Sequence, residues 1–192
     1  MQLTQKYNYS DLKRQDGAVR LYLTPDGESL PSVTTVLSKT KDKSGLDRWR
    51  KRVGEKTAEK IIADSAKIGT ALHLYIEHYV NGDGYKDLTD VGKKAQTMAQ
   101  VMVGLYKGRP AIIDFKQTNK PKKREWVQDY LMQLSAYAHA HNHLFNTEID
   151  QGVILMCSRD LLFQRFELTG ENFTRATDSF MKKLDLYNET II

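Results

Sequence analysis

Two apolar runs separated by a long helical pattern constrain this 192-residue chain more than any other feature. Ala111 to Gln117 opens with three apolar residues and reads as a strand, and Gly152 to Ser158 is strongly apolar throughout. Between them, Val127, Tyr130, Leu131, Leu134, Tyr137 and Ala138 recur at three- and four-residue spacing, which predicts a helix from Glu125 to about His143. A strand, a long helix and a strand in that order cannot close a hairpin. The connection suits a parallel pair with a right-handed crossover over one face. Phe163 to Leu168 adds a further strand and Asn172 to Tyr187 a closing amphipathic helix. The expected class is α/β, a central mixed sheet flanked by helices.

The earlier chain supplies the remaining elements. Tyr7 to Tyr9 and Arg20 to Leu23 are β-prone runs around the turn-rich Arg14-Gln15-Asp16-Gly17, and Pro25-Asp26-Gly27 marks a second turn. They predict a small antiparallel lead-in. Leu30 to Leu37 reads either as a strand, from its β-branched centre, or as a short helix capped by serine or threonine after Pro31. A helix is expected from Leu46 to about Ala66, with Leu46, Trp49, Val53, Ala58, Ile61 and Ile62 on its apolar side. Gly69-Thr70 opens a further helix that stops at Asn81-Gly82-Asp83-Gly84, and Thr89 to Val101 forms another. Val101 to Tyr106, turning at Lys107-Gly108-Arg109-Pro110, is expected to pair as a hairpin with the Ala111 strand. One domain over residues 1–192 follows, with an N-terminal part at 1–68 and a core at 69–192.

Charge is distributed unevenly. The formal net charge is +5, and residues 39–60 alone hold nine Lys/Arg against four Asp/Glu. That segment reads either as an ordinary amphipathic surface helix or as a face for a polyanion, with Arg48, Arg50, Lys51 and Arg52 at its centre. The loop Thr118 to Arg124 contains Lys120, Lys122, Lys123 and Arg124 and no acid. Trp126 behind it is a stacking platform or a core residue. Cys157 is the one cysteine, set in an apolar run, and implies a core thiol in a reducing compartment. No run is apolar enough for a membrane span or a signal peptide, so a soluble, cytoplasmic protein without a membrane partner is expected.

The chemistry-bearing stretch is Ile112-Ile113-Asp114-Phe115-Lys116. In a strand, Asp114 and Lys116 lean to one face about 7 Å apart along it, which unites a metal-binding carboxylate with a cation. Phosphodiester hydrolysis uses that pairing, because the carboxylate holds Mg²⁺ while the ammonium steadies the attacking water and the charge growing on phosphorus. His73 and Glu77, four apart on a helix, form either a surface hydrogen bond or part of a metal site.

Four segments in order carry a family resemblance: Pro31 to Leu37, Gly69-Thr70-Ala71-Leu72-His73 with Glu77, Ile112 to Lys116, and Gln133-Leu134-Ser135-Ala136-Tyr137. Over residues 30–160 the chain resembles the PD-(D/E)XK nuclease superfamily. The pattern is most similar to its RecB-like branch, and within that to phage exonucleases related to the mitochondrial genome maintenance exonuclease. The resemblance implies a restriction-endonuclease-like core, action on single-stranded DNA or DNA ends, and Mg²⁺ or Mn²⁺ as cofactor, in the host cytoplasm if phage-encoded. It implies His73 and Asp114 as metal ligands, Lys116 as the motif lysine, and Gln133 and Tyr137 as the Gln-x-x-x-Tyr pair. Glu77 would orient His73 from behind.

One departure stands against the pattern. Relatives carry an acidic residue on the strand before Asp-x-Lys, whereas here no carboxylate lies between Asp90 and Asp114 and alignment through Gly104 puts Val101 in that place. An internal deletion that removed a strand and a ligand is the expected cause. Two functions therefore compete: a DNA exonuclease impaired by the missing aspartate, and a non-catalytic single-stranded DNA-binding remnant of one. A structural or protein-interaction domain is a third.

Overall fold

The computed structural model describes residues 7–17, 19–82, 84–103 and 110–191. Two three-stranded sheets and six α-helices make up the described chain, an α/β architecture. The first sheet is an antiparallel meander of β1 (Lys13–Gln15), β2 (Leu21–Leu23) and β3 (Ser29–Pro31). The lead-in is thus antiparallel as expected, but its first strand is Lys13–Gln15 and not Tyr7–Tyr9. The tyrosines instead pack edge-on and tilted against His141 and Phe145. Side-chain packing against a distant helix overrode their β propensity.

After Pro31 the chain takes the second of its two local options. Ser32 accepts a hydrogen bond from the Thr35 amide at 3.0 Å and caps α1 (Val33–Lys39). α2 (Ser44–Val53) and α3 (Glu55–Asn81) follow. The break between helices falls at Gly54, with φ 83° and ψ 144°, and α3 runs without interruption through Gly69-Thr70. This corrects the helix predicted to continue to Ala66 and the second one starting at Gly69. A backbone at positive φ with extended ψ suits only glycine, so Gly54 is the stronger breaker. On the expected apolar side of α2, Leu46 is exposed and Trp49 and Val53 are only partly buried.

α3 ends at Gly82 in the left-handed conformation, and α4 (Asp90–Val103) follows. Residues 101–103 are helical, which corrects the strand predicted from Val101. Residues 104–109, the rest of that strand and most of its turn, lie outside the described residues. Val101 packs against the cluster shared by α3 and α4. It occupies a helix beside a hydrophobic core, not a sheet position awaiting a carboxylate.

The second sheet is ordered β4 (Ile112–Thr118), β5 (Gly152–Ser158), β6 (Phe163–Leu168). β4 and β5 are parallel, with Asp114 beside Ile154 and Lys116 beside Met156, whereas β5 and β6 are antiparallel. The connection from β4 runs through a 3₁₀ turn (Arg124–Val127) into α5 (Gln128–Phe145), as the sequence requires. All seven residues of β5 are buried because both faces are covered. Val153, Leu155 and Cys157 meet α3 and α4 on one face. Ile154 and Met156 meet Leu131 and Leu134 of α5 on the other, where α6 (Gly170–Ile191) adds Phe173 and Ala176. Gly152 allows the close approach there, since a Cβ at that position would lie 2.9 Å from Leu134 Cβ. Among the described residues no helix is long and apolar enough to cross a membrane.

Candidate functional site

Asp114 and Lys116 project from the middle of β4 onto the face covered by α5, as their pairing with Ile154 and Met156 requires. They form an ion pair at 2.7 Å in which both side chains are largely shielded from solvent. The ammonium approaches Asp114 Oδ2 without hydrogen-bond geometry, and no other donor among the described residues reaches this buried oxygen. Lys116 Nζ also donates to Gln133 Oε1 at 3.5 Å and lies 5.0 Å from the centre of the Tyr130 ring. Gln133 Nε2 in turn donates to the Tyr137 hydroxyl at 3.1 Å.

This connectivity follows from helix geometry. Tyr130, Gln133 and Tyr137 stand three and four residues apart, so they form one stripe of α5, which meets β4 at Lys116. Both polar ends of the buried Gln133 amide are used, which fixes its orientation. The tyrosines titrate late: burial raises the phenol of Tyr130, and the same desolvation raises that of Tyr137 against the opposing pull of its Gln133 hydrogen bond. Asp114 adds to both shifts, because a phenolate beside a carboxylate is disfavoured.

Four of the sequence-predicted residues therefore converge: Asp114, Lys116, Gln133 and Tyr137. His73 and Glu77 do not join them. Both are exposed on α3, whose buried stripe packs against the opposite face of the sheet. No hydrogen bond or ion pair links either of them to Asp114 or Lys116 among the described residues. Nor do the described residues contain a group of three or more His, Cys, Asp or Glu arranged to hold a metal ion. Mg²⁺ binds through one or two carboxylates, several waters and substrate phosphate oxygens. Asp114, whose Oδ2 accepts no hydrogen bond from the described residues and is left with its ion pair to Lys116, fits one such position and only one.

Beyond the end of β4 the chain builds a different surface. An open groove of about 700 Å³ runs between α2, α3 and the loop after β4. Arg52, Lys120, Lys122 and Arg159 line it together with Trp49, Trp126 and Tyr130, and no acidic residue among those described does. Trp126 is 56% exposed, which decides its ambiguity against core packing. Lys123 lies over its ring, 5.6 Å from the centre. The loop is fixed rather than draped: the Lys122 amide donates to Gln164 Oε1 at 2.7 Å and Gln164 Nε2 donates back to the Lys122 carbonyl at 2.9 Å. The Arg159 amide donates to the Thr118 carbonyl. Gln117 Nε2 points into buried space beside the groove with no acceptor among the described residues.

The basic residues predicted as one DNA-binding set divide among several environments. Arg52, Lys120 and Lys122 face the groove. Arg50 pairs with Glu55 and, with Lys51, borders a separate hollow that also contains Asp47. Arg48 is exposed on α2. Arg124 turns the other way, donating to the Glu167 carbonyl at 2.9 Å and lining a cleft between α5 and α6. Sequence reasoning missed Trp49 and Arg159 as groove residues and Tyr130 as the platform beneath Lys116. The spacing of Tyr130, three residues before Gln133, was the available signal for the last. No protein-family model matches the sequence, and a search of curated proteins gives no match.

Proposed function

We propose that this chain is a metal-dependent DNA exonuclease with a shortened restriction-endonuclease-like core, working slowly because it supplies one carboxylate where relatives supply more. The connected cluster Asp114, Lys116, Gln133 and Tyr137 carries this reading. Asp114 would hold Mg²⁺ or Mn²⁺, whose contribution is to polarise the phosphoryl oxygen and acidify a bound water. Lys116, held between Asp114 and Gln133, presents its ammonium to the charge that develops on the phosphate oxygens. Gln133 and Tyr137 keep that ammonium in place and exclude water from its inner side. His73 and Glu77 have no role here, because they belong to the other side of the sheet.

The test uses a labelled single-stranded oligonucleotide with Mn²⁺. Stepwise shortening that Asp114→Asn abolishes supports the proposal. Shortening that is absent from the unaltered protein, or equal in the variant, overturns it.

The groove favours a second reading, a non-catalytic single-stranded DNA-binding module. Two tryptophans and four cations without an acid suit stacked bases and a phosphate backbone. Salt-sensitive binding in EDTA, with no shortening under any metal, would select it over the first.

A further inference from the structure

We propose that the cleft between α5 and α6 is a separate small-molecule site, built for a phosphate monoester that carries a flat heteroaromatic body, the chemistry of a mononucleotide. The cleft encloses about 440 Å³, within the range of ligand sites. Its lining divides into a floor and a rim. Leu131, Met132 and Leu168 form a buried apolar floor. A thioether and branched aliphatic side chains suit the face of a flat ring.

The rim is cationic and amide-rich. Arg124, Arg175 and Lys183 line the cleft, and no acidic residue among those described does. Arg175 is offset by Glu171 at 2.9 Å, but Arg124 and Lys183 spend their hydrogen bonds on neutral carbonyls, those of Glu167 and Thr40. These bonds fix both side chains, and among the described residues no ion pair offsets the Arg124 charge. Arg124 bonds the carbonyl of Glu167, three residues before α6 begins at Gly170, and shares the cleft lining with Asn172 of the first turn of α6, so the positive end of a long helix adds to the field there. That end suits the phosphate.

Further along the rim, Gln128 keeps its Oε1 and one N–H after donating to the Arg124 carbonyl, and Ser179, whose hydroxyl donates to the Arg175 carbonyl, keeps an acceptor; the edge of a heteroaromatic ring uses such groups and an alkyl chain does not. Asn172 to Lys183 covers roughly 16 Å of α6 at 1.5 Å per residue, room for a phosphate, a sugar and a base laid end to end. The cleft and the Asp114 cluster share no residue. The inference therefore stands whether or not the chain cleaves DNA.

Calorimetric titration of the full chain in EDTA at low salt, with AMP, adenosine and inorganic phosphate as probes, tests this. AMP is expected to saturate with Kd below about 1 mM, and adenosine and phosphate each to bind at least about fivefold more weakly. Arg124→Ala, which removes the phosphate's partner, and Ser179→Phe, which fills the cleft from its exposed rim, should each raise the AMP Kd about tenfold with unchanged melting temperature. No saturation, phosphate as tight as AMP, or an AMP Kd that neither variant moves would overturn the proposal. So would loss of AMP binding in Trp126→Ala, which would place the nucleotide in the other groove.

Discussion

The Asp114 cluster and the tryptophan groove meet at Tyr130, which lies beneath the Lys116 ammonium and also lines the groove, yet the two regions are built on opposite principles. In the cluster a single carboxylate, a single ammonium and a buried amide face one another, the ammonium 2.7 Å from the carboxylate and 3.5 Å from the amide oxygen. The groove does the reverse. Among the described residues its lining holds four cations and no acid, and Trp126 is half exposed. Charge held in a partly buried, internally paired setting acts on whatever enters it, whereas unpaired charge around exposed rings gathers a polyanion from solution. Cutting and holding should therefore separate under mutation.

Lys116→Met makes the largest separation. It removes the ammonium and keeps the stem, so Mn²⁺-dependent shortening of an oligonucleotide should fall by about 10²–10³-fold, the loss seen when one donor to a developing charge is removed. Binding of the same oligonucleotide in EDTA, followed by fluorescence anisotropy, should change less than about twofold. A parallel loss of both would show that the cluster and the groove are one site.

Trp126→Ala tests the other side. Base stacking on an exposed ring is worth about 1–3 kcal/mol, so affinity for a thymidine oligomer should drop about 5- to 150-fold. With substrate at saturating concentration, the shortening rate should be kept. A ring that only buries loop surface would instead lower the melting temperature and leave affinity alone. Lys122→Ala should have a smaller effect. It should reduce the slope of log affinity against log salt by about 0.7, the share of one phosphate contact on a single strand. The same change in Lys51→Ala, whose side chain lies beside Asp47 and Glu55, would place the strand outside the groove.

The difference between the two regions also explains what the sequence made legible. β5 and β6 have their expected bounds because Gly152 to Ser158 is apolar at both parities, and only a doubly covered strand accepts that pattern. Gln133 and Tyr137 were pointed to by the family resemblance, and their contact follows because a helix converts a spacing of four into proximity. The groove was not, since it joins residues from α2, α3, the loop after β4 and Arg159, which no local period links. Arg124 shows the limit most plainly. Two residues from Lys122 in a run of basic side chains, it is turned into a different cleft by the 3₁₀ turn that begins there. The helix break went to Gly54 rather than Gly69 for a related reason: glycine in a helix costs little enough to be carried through, and only the tertiary path decides which one bends the chain. His73 lay within a familiar run, but the face its helix buries depends on the stripe Ile68, Ala71, Leu72, Tyr75 and Ile76, and that stripe turns the imidazole outward.

The smallest effect expected concerns the interior of the cluster and is read from pH. Desolvation lifts the Tyr130 and Tyr137 phenols above their ordinary value of about 10, so the folded chain keeps two protons that the unfolded chain releases first. Their contribution to stability is complete below the ordinary value and is lost as pH rises through the higher folded values. Melting temperature should therefore fall on the alkaline side. Tyr130→Phe and Tyr137→Phe, which cannot ionise, should flatten that fall, the first more, because Tyr137 is 39% exposed and part of its shift is screened by water. A groove tyrosine open to solvent would show no such protection. An alkaline limb unchanged in Tyr130→Phe would mean that water already reaches the underside of Lys116, and the contrast between a closed cluster and an open groove would disappear at the residue they share.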